Sequence, residues 1–128
     1  MADPIVAVAK AIYTQLNENV TSAPVYDFAP AEESYPYILM DRHVLTKFDY
    51  LDDLKERVSS YIFVYSDYRG QKEVLEIMSE IYDALHRKQL SMDTGRMVTI
   101  QVESRSTVRD VDELTFTGRV QVSSIVEH

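Results

Sequence analysis

From Leu114 to Val126 the chain reads LTFTGRVQVSSIV, the most regular alternation of apolar and polar residues in the sequence. A period of two is typical of a β-strand that has one face on a core. The core face is predicted to carry Leu114, Phe116, Val120, Val122 and Val126, and the outward face Thr115, Thr117, Arg119, Gln121 and Ser123. Gly118 interrupts the pattern, which predicts a β-bulge or the close approach of another element.

A second alternating strand is predicted from Val58 to Ser66, and one of its faces is aromatic. Val58, Ser60, Ile62 and Val64 share one face, and Ser59, Tyr61, Phe63 and Tyr65 share the other. Two populated faces indicate either contact with a neighbouring protein or a second core layer. We take Tyr61, Phe63 and Tyr65 as candidates for packing between subunits, because tyrosine is enriched at protein interfaces.

The first of two predicted helices begins at Asp3 and Pro4 and ends between Asn17 and Asn19. Aspartate is a favoured N-cap residue, and proline is tolerated at the first helical position. The apolar residues recur at the spacing of a helix that buries one side. They are Ile5, Val8, Ala9, Ile12, Tyr13 and Leu16.

The second helix is predicted from Gly70 to Leu85, with Ser66 or Asp67 as its cap. Its apolar stripe is broad and consists of Val74, Leu75, Ile77, Met78, Ile81, Tyr82 and Leu85. His86, Arg87 and Lys88 are placed in the last turn, where positive charge complements the helix dipole. Phosphate binding is the alternative role for these three residues.

The remaining segments complete an α+β fold. Further strands are predicted at Val25-Tyr26, Tyr37–Leu45 and Met97–Glu103, with Thr46–Arg57 as a long connection or projecting hairpin and Ser104–Glu113 as a second charged loop. The predicted fold is a mainly antiparallel β-sheet with two α-helices packed on one face, in the order α-β-β-α-β-β. We expect residues 1–128 to form a single domain.

The composition is that of a globular protein, with 128 residues, 45% hydrophobic and 27% charged. The absence of cysteine excludes disulfides and thiolate metal sites. No signal peptide or apolar run of ~20 residues is visible, so we expect a soluble, cytoplasmic-type protein. The net charge of −8 argues against general nucleic-acid binding. This negative charge either keeps the monomer soluble or, in a ring of such subunits, repels DNA from the wall of the central passage.

No catalytic site, cofactor or metal is predicted. His43, His86 and His128 show no metal-ligand spacing, and the common catalytic motifs are missing. The densest acidic run, from Asp49 to Asp53, lies among basic residues and lacks the spacing of a calcium loop. It is either a solvated hairpin tip or a docking surface.

Three stretches occur in an order that resembles a known family. They are Tyr35-Pro36-Tyr37-Ile38-Leu39-Met40-Asp41, then Val64-Tyr65-Ser66 followed by the helix from Gly70 to Leu85, and finally Asp112-Glu113-Leu114-Thr115-Phe116-Thr117-Gly118-Arg119-Val120-Gln121-Val122. The chain resembles the tail-completion (tail-terminator) proteins of long-tailed bacteriophages, a family also found in gene-transfer-agent-like particles.

The resemblance implies a structural protein of the virion tail or neck, assembled in the host cytoplasm. Family members form a ring, commonly of six subunits, that caps the tail tube, ends its polymerisation and offers a head-joining surface. The implied partners are other copies of the chain, the tail tube protein and a head–tail connector or head-completion protein, with no membrane. Six copies would carry about −48 formal charge, so DNA would pass through the lumen without specific binding.

In such a ring, the two charged loops are expected to contact the tube, the connector or the lumen. The candidate residues are Lys47, Asp49, Tyr50, Asp52, Asp53, Lys55, Arg57, Arg105, Arg109, Asp110 and Asp112. One alternative function is a head-completion or connector protein of the neck. Another is a small ligand-binding α+β domain, which would need an enclosed pocket with converging polar groups.

Overall fold

A five-stranded sheet carries two helices on one face in the computed structural model, which describes residues 4–27, 35–47, 55–68, 70–92, 95–109 and 115–127. The elements are α1 (Pro4–Asn19), β1 (Val25–Tyr26), β2 (Tyr37–Lys47), β3 (Lys55–Ser66), α2 (Lys72–Leu85), β4 (Arg96–Arg109) and β5 (Phe116–Glu127). The strand order is β1-β2-β3-β5-β4, and only the short β1–β2 pair is parallel. The predicted α+β class and element order are confirmed.

The core lies between the two helices and one face of the sheet. Alternate residues of β3 and β5 point into it, so that Ile62 pairs with Val120 and Ser60 with Val122. From the helices, Ile12, Leu16, Ile77, Ile81 and Leu85 are fully buried. Each large side chain buried in this way contributes roughly 1.5–3 kcal/mol, so this face holds the sheet and helices together.

The apolar stripe of α1 is rotated relative to the prediction. Val8, Ile12 and Leu16 are buried as expected, but Ala7 and Ala11 are buried as well. Tyr13, which was predicted to face the core, is 37% exposed. The small alanines allow α1 to lie close to its neighbours, and the bulky tyrosine is turned to the surface instead.

The start of α2 also differs from the prediction. Gln71 is the N-cap residue and makes no side-chain capping hydrogen bond, so neither Ser66 nor Asp67 caps the helix. Ser66 is the last residue of β3. Its hydroxyl donates to Glu73 Oε1 at 2.6 Å and accepts from the Tyr68 N–H at 3.1 Å, which stabilises the turn between the two elements.

The end of α2 lies one residue before the basic cluster, so the predicted place of that cluster in the last turn is wrong. Arg87 adopts a left-handed backbone conformation with φ 57°, which ends the helix. Its N–H donates to the Ile100 carbonyl of β4 at 2.8 Å. The main chain that follows the helix therefore binds the edge strand.

Three strands are longer than predicted. β4 continues to Arg109, so residues 104–109 are not a loop; they pair with β5 from Gln121 to Phe116. Register shifts at Met97/Thr99 and Val102/Ser104 interrupt the simple alternation on which the shorter prediction was based. β2 and β3 likewise extend into the predicted connection, where Lys47 pairs with Glu56, which favours the hairpin interpretation.

The pattern in β5 is confirmed on its core face and corrected on the other. Phe116, Val120, Val122 and Val126 are buried, and Leu114 lies outside the described residues. Thr117 and Ser123 lie on the opposite face, as predicted, but are buried too. A central strand position explains this burial, because Thr117 has Tyr65 on one side and Val108 on the other.

Gly118 marks a close approach of α2 and not a bulge. Its register with Val64 is uninterrupted. A Cβ atom at this position would lie 2.6 Å from Val74 Cγ1 and 2.9 Å from Met78 Sδ. Glycine therefore sets how closely α2 packs on the sheet.

Candidate functional site

The face of the sheet turned away from the helices forms a surface that we call the open face. It carries Tyr37, Leu39, Tyr61, Phe63, Tyr65 and their neighbours in β5 and β4. None of the described helices or strands packs against it. The structure brings together the three predicted subunit-packing residues, Tyr61, Phe63 and Tyr65, all of them half-buried.

Aromatic rings are concentrated at the end of the open face nearest β1. The Tyr37 ring centroid lies 6.2 Å from that of Tyr26, 5.6 Å from that of Tyr35 and 5.0 Å from that of Tyr65. Phe63 makes an edge contact with Tyr65 at 6.3 Å. Such pairs each contribute about 0.5–1.5 kcal/mol beyond area burial, so the cluster is a rigid apolar surface.

Two arginines lie over this aromatic surface, and sequence analysis did not identify them as site residues. The Arg42 guanidinium lies 4.6 Å from the Tyr61 ring centroid, and that of Arg119 lies 5.9 Å from the Phe63 ring centroid. Both are exposed. Flat guanidinium groups on rings are typical of protein interfaces, where arginine and aromatic residues are enriched. The alternation of β5 predicted that Arg119 faces outward, whereas Arg42 reaches the open face only through the register shift between Met40 and Arg42, which the alternation does not show.

The predicted charged residues lie at opposite ends of the sheet. Lys55 pairs with Glu127 at one end, whereas Arg109 pairs with Phe116 at the other. Along the twelve residues of β3 this separation is about 36 Å. Asp49, Tyr50, Asp52, Asp53, Asp110 and Asp112 lie outside the described residues. The two predicted charged regions therefore do not form one surface.

Arg105 is a strand residue that stacks against α2, and not a loop residue as predicted. Its guanidinium lies 4.4 Å from the Tyr82 ring centroid. Tyr82 also stacks on His86, with ring centroids 4.5 Å apart. His86 Nδ1 in turn accepts a hydrogen bond from the Val102 N–H of β4 at 3.1 Å. These contacts fix the edge strand to the end of the helix.

A groove of about 620 Å³ lies on the other side of the molecule, between α1 and β2. Val6, Tyr13 and Met40 contribute apolar surface, and Asp27 and Asp41 contribute carboxylates. Val6, Ala9 and Tyr13 follow helical spacing, so α1 has a second apolar stripe beside the buried one. The sequence prediction placed Ala9 and Tyr13 on the core stripe and did not include Val6.

The chemistry available to the described residues is limited. They contain no group of three histidines or carboxylates placed to hold a metal ion. His43 is half-buried with Nδ1 2.8 Å from Ser60 Oγ, and burial lowers the pKa of its imidazole below the ordinary value of 6.5. In the described part of the chain, no helix is both long and apolar enough to span a membrane.

Comparison with known families tests the resemblance that the sequence suggested. Residues 6–127 match the family described as Tail completion protein gp17. The chain belongs to this tail completion family. Its members are structural proteins of the bacteriophage tail, so the chain is a virion protein of the tail or neck. No curated protein sequence matches the chain.

A solved structure shares the fold of this tail completion family member. A chain from a structure described as the virion of a native gene transfer agent (GTA) particle superposes with a TM-score of 0.84. The match covers 99% of this chain and 100% of the other, at 17% sequence identity. At that identity the likeness concerns the fold, which is therefore one that a virion component adopts.

Proposed function

We propose that the protein caps the growing tail tube as a ring of copies, ends tube polymerisation and provides the surface that joins the tail to the head. Membership of the tail completion family over residues 6–127 is the observation that carries this proposal. The ring is proposed to contain six copies, each acting as a single domain. Its partners are the tail tube protein on one side and a connector or head-completion protein on the other.

The placement of the charged segments supports two separate partner surfaces. The β2–β3 end, with Lys47, Lys55 and Arg57, lies about 36 Å from the β4–β5 end along β3. A subunit that joins a tube to a connector needs two such surfaces, because its partners lie on opposite sides of the ring. We propose that one charged end contacts the tube and the other contacts the connector. Asp49, Tyr50, Asp52 and Asp53, which follow β2 in the sequence, are proposed to take part in one contact, and Arg109, Asp110 and Asp112 in the other.

The open face supplies a further contact surface for assembly. It combines half-buried aromatic rings with two arginines and has no covering layer among the described residues. Aromatic and arginine side chains contribute most of the binding energy in many interfaces. We propose that Tyr61, Phe63 and Tyr65 pack against neighbouring protein in the virion. The strong negative charge of the chain fits a ring through which DNA passes without binding.

The experiment is electron microscopy of lysates from a phage that lacks this gene. Full heads without tails, beside tubes of unregulated length, are the expected result. Normal-length free tails beside heads that have lost DNA would instead place the protein on the head side of the neck. Intact infectious particles would exclude both assembly roles. A plasmid copy of the wild-type gene is the matched control and should restore tail length.

A further inference from the structure

Two surfaces with exposed apolar side chains lie at opposite edges of the sheet. The α1 groove, beside β2, is lined among others by Val6, Tyr13, Met40, Asp27 and Asp41. The α2 patch, beside β4, is mixed apolar and polar and consists of Leu75, Met78, Arg105, Ser106 and Thr107. The order β2-β3-β5-β4 separates the two strands by three inter-strand spacings, about 14 Å. The two surfaces therefore do not overlap, and both can be occupied at the same time.

Each surface exposes large apolar side chains that the fold itself does not need. Val6 is 61% exposed in the α1 groove, and Leu75 is 50% exposed in the α2 patch. Their helices have other apolar residues that face the core, among them Val8 and Ile77. Singly exposed apolar residues are common on protein surfaces, so the charges beside Val6 and Leu75 carry the argument for a contact.

The charges on the two surfaces are complementary. The α1 groove carries Asp27 and Asp41, neither of which forms an ion pair with another described residue, together with Lys10 and with His43, whose pKa is lowered by burial. The α2 patch carries Arg105, whose guanidinium lies over the Tyr82 ring, 4.4 Å from its centroid. A guanidinium that is already stacked loses less conformational freedom when it binds a carboxylate. Since each chain carries −8, copies repel one another unless opposite charges meet locally.

We infer that the α1 groove of one copy binds the α2 patch of the next copy, head to tail. This contact rests on the proposed ring and specifies which surfaces close it. Contact of either surface with its own copy across a two-fold axis would place Arg105 near Arg105 or Asp41 near Asp41, which like charges oppose. A head-to-tail contact pairs unlike charges and buries Val6 and Leu75 together. Repetition of one such contact closes a ring if the rotation between copies allows it.

This assignment moves the contact between copies to the two edges of the sheet. The sequence pattern alone had placed it on Tyr61, Phe63 and Tyr65. With the edges joined, the open face of each copy is left for a different protein of the tail or neck. Edge-to-edge contact also covers β4, a fourteen-residue strand that has β5 as its partner on one side.

Site-specific cross-linking tests the contact, because the chain contains no cysteine of its own. Val6→Cys and Leu75→Cys are introduced singly and together, and assembled particles are treated with a bismaleimide. This reagent spans more than a disulfide, which requires Cα atoms within about 7 Å. The double variant should give a ladder of oligomers up to the closed ring. Each single variant should stay monomeric, and a mixture of the two single variants should stop at a dimer.

Two results would overturn the inference. Dimers from either single variant would show a symmetric contact, and normal tails without any ladder from the double variant would show that other surfaces join the copies. Both results concern only which surfaces join the copies, whereas the proposed function is tested by tail length and head joining in lysates of a phage that lacks the gene. The inference and the function are therefore tested separately.

A charge exchange provides a second test that does not depend on cysteine. Asp41→Arg and Arg105→Asp should each lower the yield of infectious particles by about tenfold or more, because each places like charges in the contact. The two substitutions together restore opposite charges and should recover most of that loss. If the double variant lost as much yield of infectious particles as the two single variants combined, the proposed contact would be contradicted. Unchanged thermal unfolding of each purified variant controls for folding.

Discussion

At the residue scale, the space around single side chains decides how closely the layers of this protein approach. Gly118 lies in β5 directly beneath α2, and no other residue type fits there without movement of Val74 or Met78. Its conformation is not in the left-handed region, so the requirement is steric. The glycine thus acts through packing and not through backbone freedom.

Gly118→Ala should lower the free energy of unfolding by about 1–3 kcal/mol, because overpacking a tight core forces side chains out of place. Denaturant unfolding of the purified protein measures this change. The matched double variant Gly118→Ala with Val74→Ala removes the clashing Cγ1 atom. The free energy of unfolding that this double variant loses should be smaller than the sum of the losses of the two single variants. Strict additivity would show that Val74 does not limit the approach of α2.

At the element scale, the C-terminal end of α2 organises the edge strand β4. The chain leaves the helix at Arg87, whose N–H binds the Ile100 carbonyl, while the neighbouring His86 ring accepts from Val102. The Val102 amide lies beside the register shift at Val102/Ser104. A side chain therefore satisfies a backbone donor at a point where the regular ladder is interrupted.

His86→Ala should expose the Val102 amide and lower stability by about 1–3 kcal/mol, the cost of leaving a backbone donor without its acceptor. Hydrogen exchange at this amide should become faster than in the wild-type protein. The Ile38 amide, which donates to the Pro24 carbonyl at 2.8 Å, is the internal control and should keep its protection. His86→Asn retains a side-chain acceptor and should recover part of the effect. Equal exchange rates in all three proteins would show that the histidine is dispensable for the edge.

At the scale of the whole molecule, the helices cover one face of the sheet and leave the aromatic face open. The core face is buried under the helices and stabilises the fold. We expect Phe63 and its neighbours on the open face to contribute mainly to contacts with other proteins. Arg119 lies beside Phe63, so a negative charge introduced there would have a positive group within reach. Substitutions on this face can therefore alter assembly without unfolding the protein.

Phe63→Asp should leave the circular dichroism spectrum of the free protein unchanged and lower the fraction of heads with joined tails by about tenfold, since aromatic hot-spot residues cost about 2 kcal/mol or more when removed. Electron microscopy of complemented lysates gives that fraction. Val44→Asp is the comparison variant, because Val44 is 45% exposed on the same face, opposite Ser59. It shows whether any negative charge on the open face has the effect or only one within the aromatic cluster. Equal tail joining in wild type and Phe63→Asp would remove the open face from the assembly surfaces.

Much of this fold could be predicted from local patterns, because hydrophobic periodicity reports directly on which face of an element is buried. The alternation of Val58–Ser66 and the apolar residues of α1 and α2 identified the helices and strands in their correct order. The family resemblance rested on the same order of elements. Net charge and the absence of cysteine likewise needed no structure.

Other features depended on contacts between distant parts of the chain, and the tertiary structure alone decided them. Periodicity could not show that β4 reaches Arg109, because its two register shifts break the alternation while β5 continues to pair with it. Periodicity assigned Tyr13 to the core because helical spacing places it near that face, whereas the rotation of α1 on the sheet leaves it 37% exposed. The sequence by itself determined which elements form. The order in which the strands pair determined which surfaces are exposed at the two edges. A strand lies at an edge only when no other strand pairs with its second side, and that depends on contacts between distant parts of the chain.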